Sequence, residues 1–238
     1  MMKVLGSVEK TTCLVLSLLL ITLVLLPMPL QAHGVAQGDQ SFLEQSAGPT
    51  LVPYMYLGAK HMVTGYDHLL YLAGVIFFLF RLRDVALYVS LFALGHSITL
   101  LTGVLAGWHV NPYLVDALIG LSVAYKAFEN LGGFKAFFPV WLDTRGAVFI
   151  FGLVHGLGLS TKLQDLNIAR EGLIANMISF NIGVELGQLF ALTFLLLAFS
   201  FLRQSGRFHH NAVFSNVLLM AAGFTLLGYQ YTGYLVSS

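Results

Sequence analysis

The chemistry-bearing residues of this chain stand where they should be expensive. His61, Asp67, His68, His96, Glu129, His155 and Glu185 lie in or at the edges of strongly apolar stretches. A charge near a bilayer centre costs at least about 2.5–3.5 kcal/mol, so such residues normally face a protein interior or a wet cavity. His61 and His68 are seven positions apart, which puts both imidazoles on nearly one helix face, two turns apart. Asp67 is turned by about 100° from His68, and Gly65 between the two histidines is a place where the helix can open locally. Imidazole with carboxylate suits a divalent first-row metal such as Ni²⁺, Co²⁺ or Zn²⁺. His96 and His155 would each need a partner in mid-span, and His155 is flanked by small residues that let a helix or an ion come near. Asn181, Glu185 and Gln188 follow an i, i+4, i+7 spacing, a polar stripe expected to face the interior. Structural readings compete with each of these. Asp67 and His68 can cap or pair near an interface, and a buried histidine can be satisfied by a carbonyl. Ser97 and Thr99 can bond back to their own helix, and the stripe can serve only as glue between helices. Asp116 and Lys126 are expected to reach an interface.

Positioning these groups falls to long apolar elements. Hydrophobic residues make up 57% and charged residues 10% of the 238. A soluble chain carries roughly 25% charged residues, so the composition indicates a membrane protein. A net charge of +1 argues against a nucleic-acid partner, which requires a basic face. The one cysteine, Cys13, lies in a leader-like segment, so metal chemistry in the rest of the chain falls to imidazole and carboxylate.

Residues 1–32 read as a cleaved signal peptide: Lys3 and Lys10, an apolar core, then Leu30-Gln31-Ala32 before His33. Residues 33–57 read as a periplasmic lead-in, and 58–238 as an all-α, polytopic membrane bundle of about six transmembrane helices. The spans expected are Met62–Phe80, Val85–Gly107, Pro112–Asn130, Gly146–Leu163, Leu173–Leu202 and Ala212–Leu235, each near the length of about 20 residues that a bilayer requires. With the mature N-terminus outside, the inner loops carry Arg81, Arg83, Lys135, Arg145, Arg203 and Arg207, against Lys60, Lys162 and Arg170 outside. That bias agrees with the positive-inside rule. Small-residue pairs at Gly103/Gly107, Gly152/Gly156 and Gly183/Gly187 predict close helix approach. His109, His209 and His210 are read as solvated loop residues, and His33 as incidental, although a histidine at a new N-terminus can chelate Cu²⁺ or Ni²⁺.

Five ordered blocks carry a family resemblance: His61 to Leu70 with its His-x5-Asp-His pattern, Ala93 to Leu100 with His96, Tyr125 to Asn130 with Glu129, Val154 to Gly158 with His155, and Phe180 to Gln188 with Glu185. Together they resemble the HupE/UreJ family of bacterial membrane proteins, associated with nickel or cobalt supply to hydrogenase and urease. Gly158 and Leu159 stand where the usual form has a second His-Gly, which places the chain nearer a divergent branch. The resemblance implies a multi-pass protein of the bacterial inner membrane. It also implies secondary metal permeation, carried first by His61, Asp67 and His68, with His155 and Glu185 matching later family elements.

The favoured expectation is an ATP-independent nickel or cobalt permease with metal residues His61, Asp67, His68, His96, His155 and Glu185, and with His61 near the outer mouth. No Walker-type loop occurs, and neither a redox nor a tightly bound cofactor is expected. The partners are the metal ion and membrane lipid, with assembly of copies of the chain allowed for. One competing reading is an intramembrane zinc hydrolase built on Asp67, His68, Ser97 and His155, although no His-Glu-x-x-His or Gly-x-Ser-x-Gly motif occurs. Another is a non-transporting accessory or sensor subunit.

Overall fold

The computed structural model describes residues 39, 43, 48–137, 143–165, 170–204 and 208–237. The leader, most of the lead-in and His33 lie outside the described residues. Eight helices are described: α1 Leu51–Thr64, α2 Tyr66–Ile76, α3 Leu82–Ala106, α4 Pro112–Asn130, α5 Gly133–Phe137, α6 Thr144–Gln164, α7 Leu173–Arg203 and α8 Phe208–Ser237. No strand occurs among the described residues. His209 and His210 fall in the first turn of α8 rather than in a loop.

The first expected span departs most from expectation. Helix begins at Leu51, inside the segment read as lead-in, and is interrupted at a single residue. Gly65 (φ −73°, ψ 92°) donates its N–H to the His61 carbonyl, closing α1, while its own carbonyl accepts from Leu69 and opens α2. What Gly65 supplies is room. A Cβ there would lie 2.9 Å from His68 Nδ1, 3.0 Å from the His61 carbonyl oxygen and 3.3 Å from Asp67 Oδ1.

Among the described residues, four helices are long and apolar enough to cross a membrane: α3, α6, α7 and the Asn211–Ser237 part of α8. Helix α4 holds Asp116, Lys126 and Glu129 within its 19 residues, and α1 and α2 are each short. Of these less apolar pieces, α2 and α4 are shielded. Most of α2 is buried, and it packs against α4, α7, α8 and α3. Many outward-facing positions are instead apolar, as at Leu94, Ile98, Ile182, Leu189, Phe194 and Phe224. Buried positions include Asp67, His68, His96, Asp116, Lys126, His155 and Gln188. An apolar exterior around a polar interior is the distribution that lipid selects.

Three helix pairs build the bundle: α1 with α7, α3 with α6, and α4 with α8. Without a hydrophobic drive between helices in lipid, close backbone approach supplies the attraction. A Cβ on Gly183 would meet the Met55 carbonyl, on Gly152 the Phe92 carbonyl, on Gly156 the His96 carbonyl, and on Gly223 the Ala124 amide. Gly103 likewise abuts Ser160. Gly107 does not pack in this way. It is the left-handed C-cap of α3 (φ 69°), donating to the Gly103 carbonyl. Helix α4 starts on Asn111, whose side chain accepts from the amides of Tyr113 and Leu114, with Pro112 in the first turn.

Candidate metal centre

The break at Gly65 lies where the imidazoles meet. One ligand nitrogen from each of His61, His68 and His96 lies within 4.8 Å of the others. The rings come from the end of α1, the start of α2 and the middle of α3, with centroids 5.1 Å (His61–His68), 5.6 Å (His68–His96) and 6.5 Å (His61–His96) apart. His155, from α6, adds a fourth ring 5.0 Å from His68. His68, His96 and His155 are wholly buried, and His61 is partly so. His61 therefore joins His68 and His96 in one cluster. An ion with metal–nitrogen bonds of about 2.0–2.1 Å brings tetrahedral donors to roughly 3.3–3.4 Å from one another, so binding all three nitrogens would contract the widest pair by about 1–1.5 Å.

Partner groups aim the rings. Asp67 Oδ1 accepts from the His68 backbone N–H at 2.9 Å and lies 3.0 Å from His68 Nδ1. With the Nδ1 proton directed to that carboxylate, Nε2 carries the lone pair, the arrangement that metal-binding histidines use. His155 Nδ1 lies 2.7 Å from the Phe151 carbonyl oxygen, which accepts its proton. The α3–α6 seam is pinned by the Thr99 hydroxyl, which donates to the Leu153 carbonyl across the seam at 2.7 Å. Phe92 packs edge-on against His68 and His155, with centroids at 6.1 and 5.0 Å. Phe180 lies 6.2 Å from His61. Phe92 and Phe180 thus put apolar surface beside the imidazoles.

The stripe on α7 resolves differently. Gln188 is buried and donates to the Val89 carbonyl at 3.2 Å, and Asn181 bonds back to the Met177 carbonyl. Glu185 is exposed on the face that also exposes Ile182, Leu186 and Leu189, outside the histidine cluster. A four-residue period places residues on one helix face without saying which way that face points. Asp116 and Lys126, expected at an interface, are buried. Lys162 donates to Asp116 at 2.7 Å, and Lys126 donates to Glu129 at 2.6 Å. His109 is exposed, 3.6 Å from Asp165. Sequence reasoning missed the two lysine–carboxylate pairs. The i, i+3 spacing of Lys126 and Glu129 signals one of them, whereas Asp116–Lys162 joins two helices and leaves no local signal.

No curated protein and no solved structure compared with the chain matches it. A family model described as HupE / UreJ protein matches residues 37–238, which takes in every described helix and all four histidines of the cluster. On that match the chain belongs to the HupE/UreJ family.

Proposed function

We propose that the chain is a secondary, ATP-independent permease for a divalent transition metal, nickel or cobalt, in the bacterial inner membrane. One observation carries the reading: three ligand nitrogens from three helices lie within 4.8 Å in the buried middle of a lipid-facing bundle. Imidazole suits these borderline metals. A helix broken at a polar site in mid-bundle is the arrangement transporters use to bind a substrate within the bilayer. In this reading α1 and α2 together make one crossing, α4 is a second, and the four long apolar helices complete six. A cleaved leader then leaves the mature N-terminus in the periplasm, and the basic loops face inward. His61, His68 and His96 form the transit site, with His155 beside it and Asp67 holding His68. The spread of the nitrogens supports loose, exchangeable binding.

The test is uptake of radiolabelled nickel and cobalt by cells expressing the chain. His68→Ala should abolish the uptake while the protein still reaches the membrane. Unchanged uptake in that variant would refute the proposal. Three imidazoles are also a ligand set for catalytic zinc, so a hydrolase is the second reading. Stoichiometric zinc surviving purification against a chelator would favour it, and rapidly exchanging metal would favour permeation.

A further inference from the structure

Glu185 stands about 18 Å along α7 from its start at Leu173, and it is exposed. Gly183 and Gly187, on either side of it, pack on Met55 and Ala59 of α1, so the carboxylate lies on the opposite face, toward the acyl chains. The depth is that of the histidines, since His61 follows Ala59 by less than one turn. Among the described residues, Glu185 is the one Asp, Glu, Lys or Arg exposed more than about two turns from a helix end. Outward-facing hydroxyls meet the same difficulty within their own helix: Thr102, Thr193 and Thr225 each donate to the carbonyl one turn back. A carboxylate has no proton to donate in that way, and Glu185 makes no hydrogen bond or ion pair among the described residues. Leaving such a charge bare against lipid is expensive.

We propose that a second copy of this chain covers the Glu185 face, with the two α7 helices side by side about a two-fold axis along the membrane normal. Copies inserted in the same direction hold these helices parallel and their Glu185 residues at one depth. Ile178, Ile182, Glu185 and Leu189 are all exposed, and their alternating four- and three-residue spacing is the seam that two parallel helices share. The face also carries its own donor. Asn181, one turn before Glu185 and partly exposed, gives one side-chain N–H to the Met177 carbonyl, and an amide has a second. Helix side chains lean toward the N-terminus, so each Glu185 reaches back toward the partner's Asn181, and symmetry makes the bond twice. Polar contacts of this kind hold helices together in lipid. A second copy brings acceptor and donor to one depth by symmetry alone, which an unrelated chain does not. The proposal does not depend on the permease reading.

The test uses the full chain with Cys13→Ser, reconstituted in liposomes over a range of lipid-to-protein ratios. Two populations carry donor and acceptor fluorophores at Ser237→Cys, and energy transfer between them reports association. Transfer should rise with protein density. Glu185→Leu or Asn181→Leu should weaken the association by about tenfold, the worth of two such hydrogen bonds. Glu185→Leu should keep the unfolding midpoint of the unsubstituted chain in dilute detergent, because no contact within one copy is lost. Without the label, Ile182→Cys or Leu189→Cys should cross-link to its own counterpart under mild oxidation. Leu94→Cys on α3 and Phe224→Cys on α8, both exposed, should not. Absence of transfer at every density overturns the proposal, and it is the result expected if an unrelated chain covers this face. Transfer that survives both leucine substitutions, or cross-links at Leu94 or Phe224 instead of Ile182 and Leu189, overturns it by placing the contact elsewhere. Should Glu185→Leu not fold, the four cysteine variants decide the matter.

Discussion

Asp67 gives one oxygen to two donors of the next residue, the His68 amide and the His68 ring, and this sets its expected effect. Replacing such an orienting carboxylate typically costs 10–100-fold in metal affinity. Asp67→Asn should therefore weaken cobalt binding by about that factor while keeping an imidazole-type spectrum. Glu185→Gln should leave cobalt binding unchanged, because Glu185 faces outward. Affinity should also fall on acidification, since a protonated imidazole has no lone pair to offer. Titrations on either side of the unperturbed imidazole value of about pH 6.5 measure this, and tighter binding at the lower pH would contradict an imidazole site. The histidines were legible in the sequence because mid-span imidazoles need an explanation. Their convergence on one point was not, because it depends on how three separate helices pack.

At the scale of the elements, glycine decides which helices touch. Gly152→Leu or Gly183→Leu would drive a side chain into a partner backbone carbonyl. Each should destabilise the fold by at least about 1–3 kcal/mol, read as a lower unfolding midpoint in detergent. Gly228→Ala meets nothing within 4 Å and should be neutral or stabilising, by roughly 0.5–1 kcal/mol from helix propensity. Gly65→Ala belongs to neither class. Its added methyl crowds His68 Nδ1 and the Asp67 carboxylate, so metal affinity should fall more than stability does. The glycine spacings announced the α1–α7 and α3–α6 seams in part, since Gly183, Gly187, Gly152 and Gly156 all lie in contacts. Gly107 shared the spacing but caps a helix, because a pattern of small residues cannot distinguish packing from a left-handed turn.

For the whole molecule, the apolar shell and polar interior follow from composition, but their partition among helices does not. Long apolar runs identified α3, α6, α7 and α8 within a few residues. The span expected at Pro112–Asn130 is α4 itself, whereas the burial of its charged residues and the split of α1–α2 become intelligible only once their neighbours are in place. A metal held by His61, His68 and His96 would join α1, α2 and α3 at one point, so binding should stabilise the bundle. Saturating cobalt at about 100 times Kd is worth about 2.7 kcal/mol. That should raise the melting temperature of the unsubstituted protein and leave His68→Ala unmoved.

Helix α7 runs unbroken for 31 residues, about 46 Å, alongside the interrupted α1–α2. Near its start, Asn176 accepts from the Thr50 amide and donates to the Gly48 carbonyl, while Ser179 donates to the Leu51 carbonyl. Its last residue, Arg203, donates to the carbonyls of Ile76 and Phe77. The split crossing is thus a two-piece strut bolted at both tips to a stiff mast, with its joint at Gly65. Such a strut cannot slide along the mast or swing away from it; it can only flex sideways at the joint, where His61 and His68 ride on opposite arms. Spin labels at the two tips should hold a fixed separation with and without cobalt, and labels flanking Gly65 should carry whatever change there is.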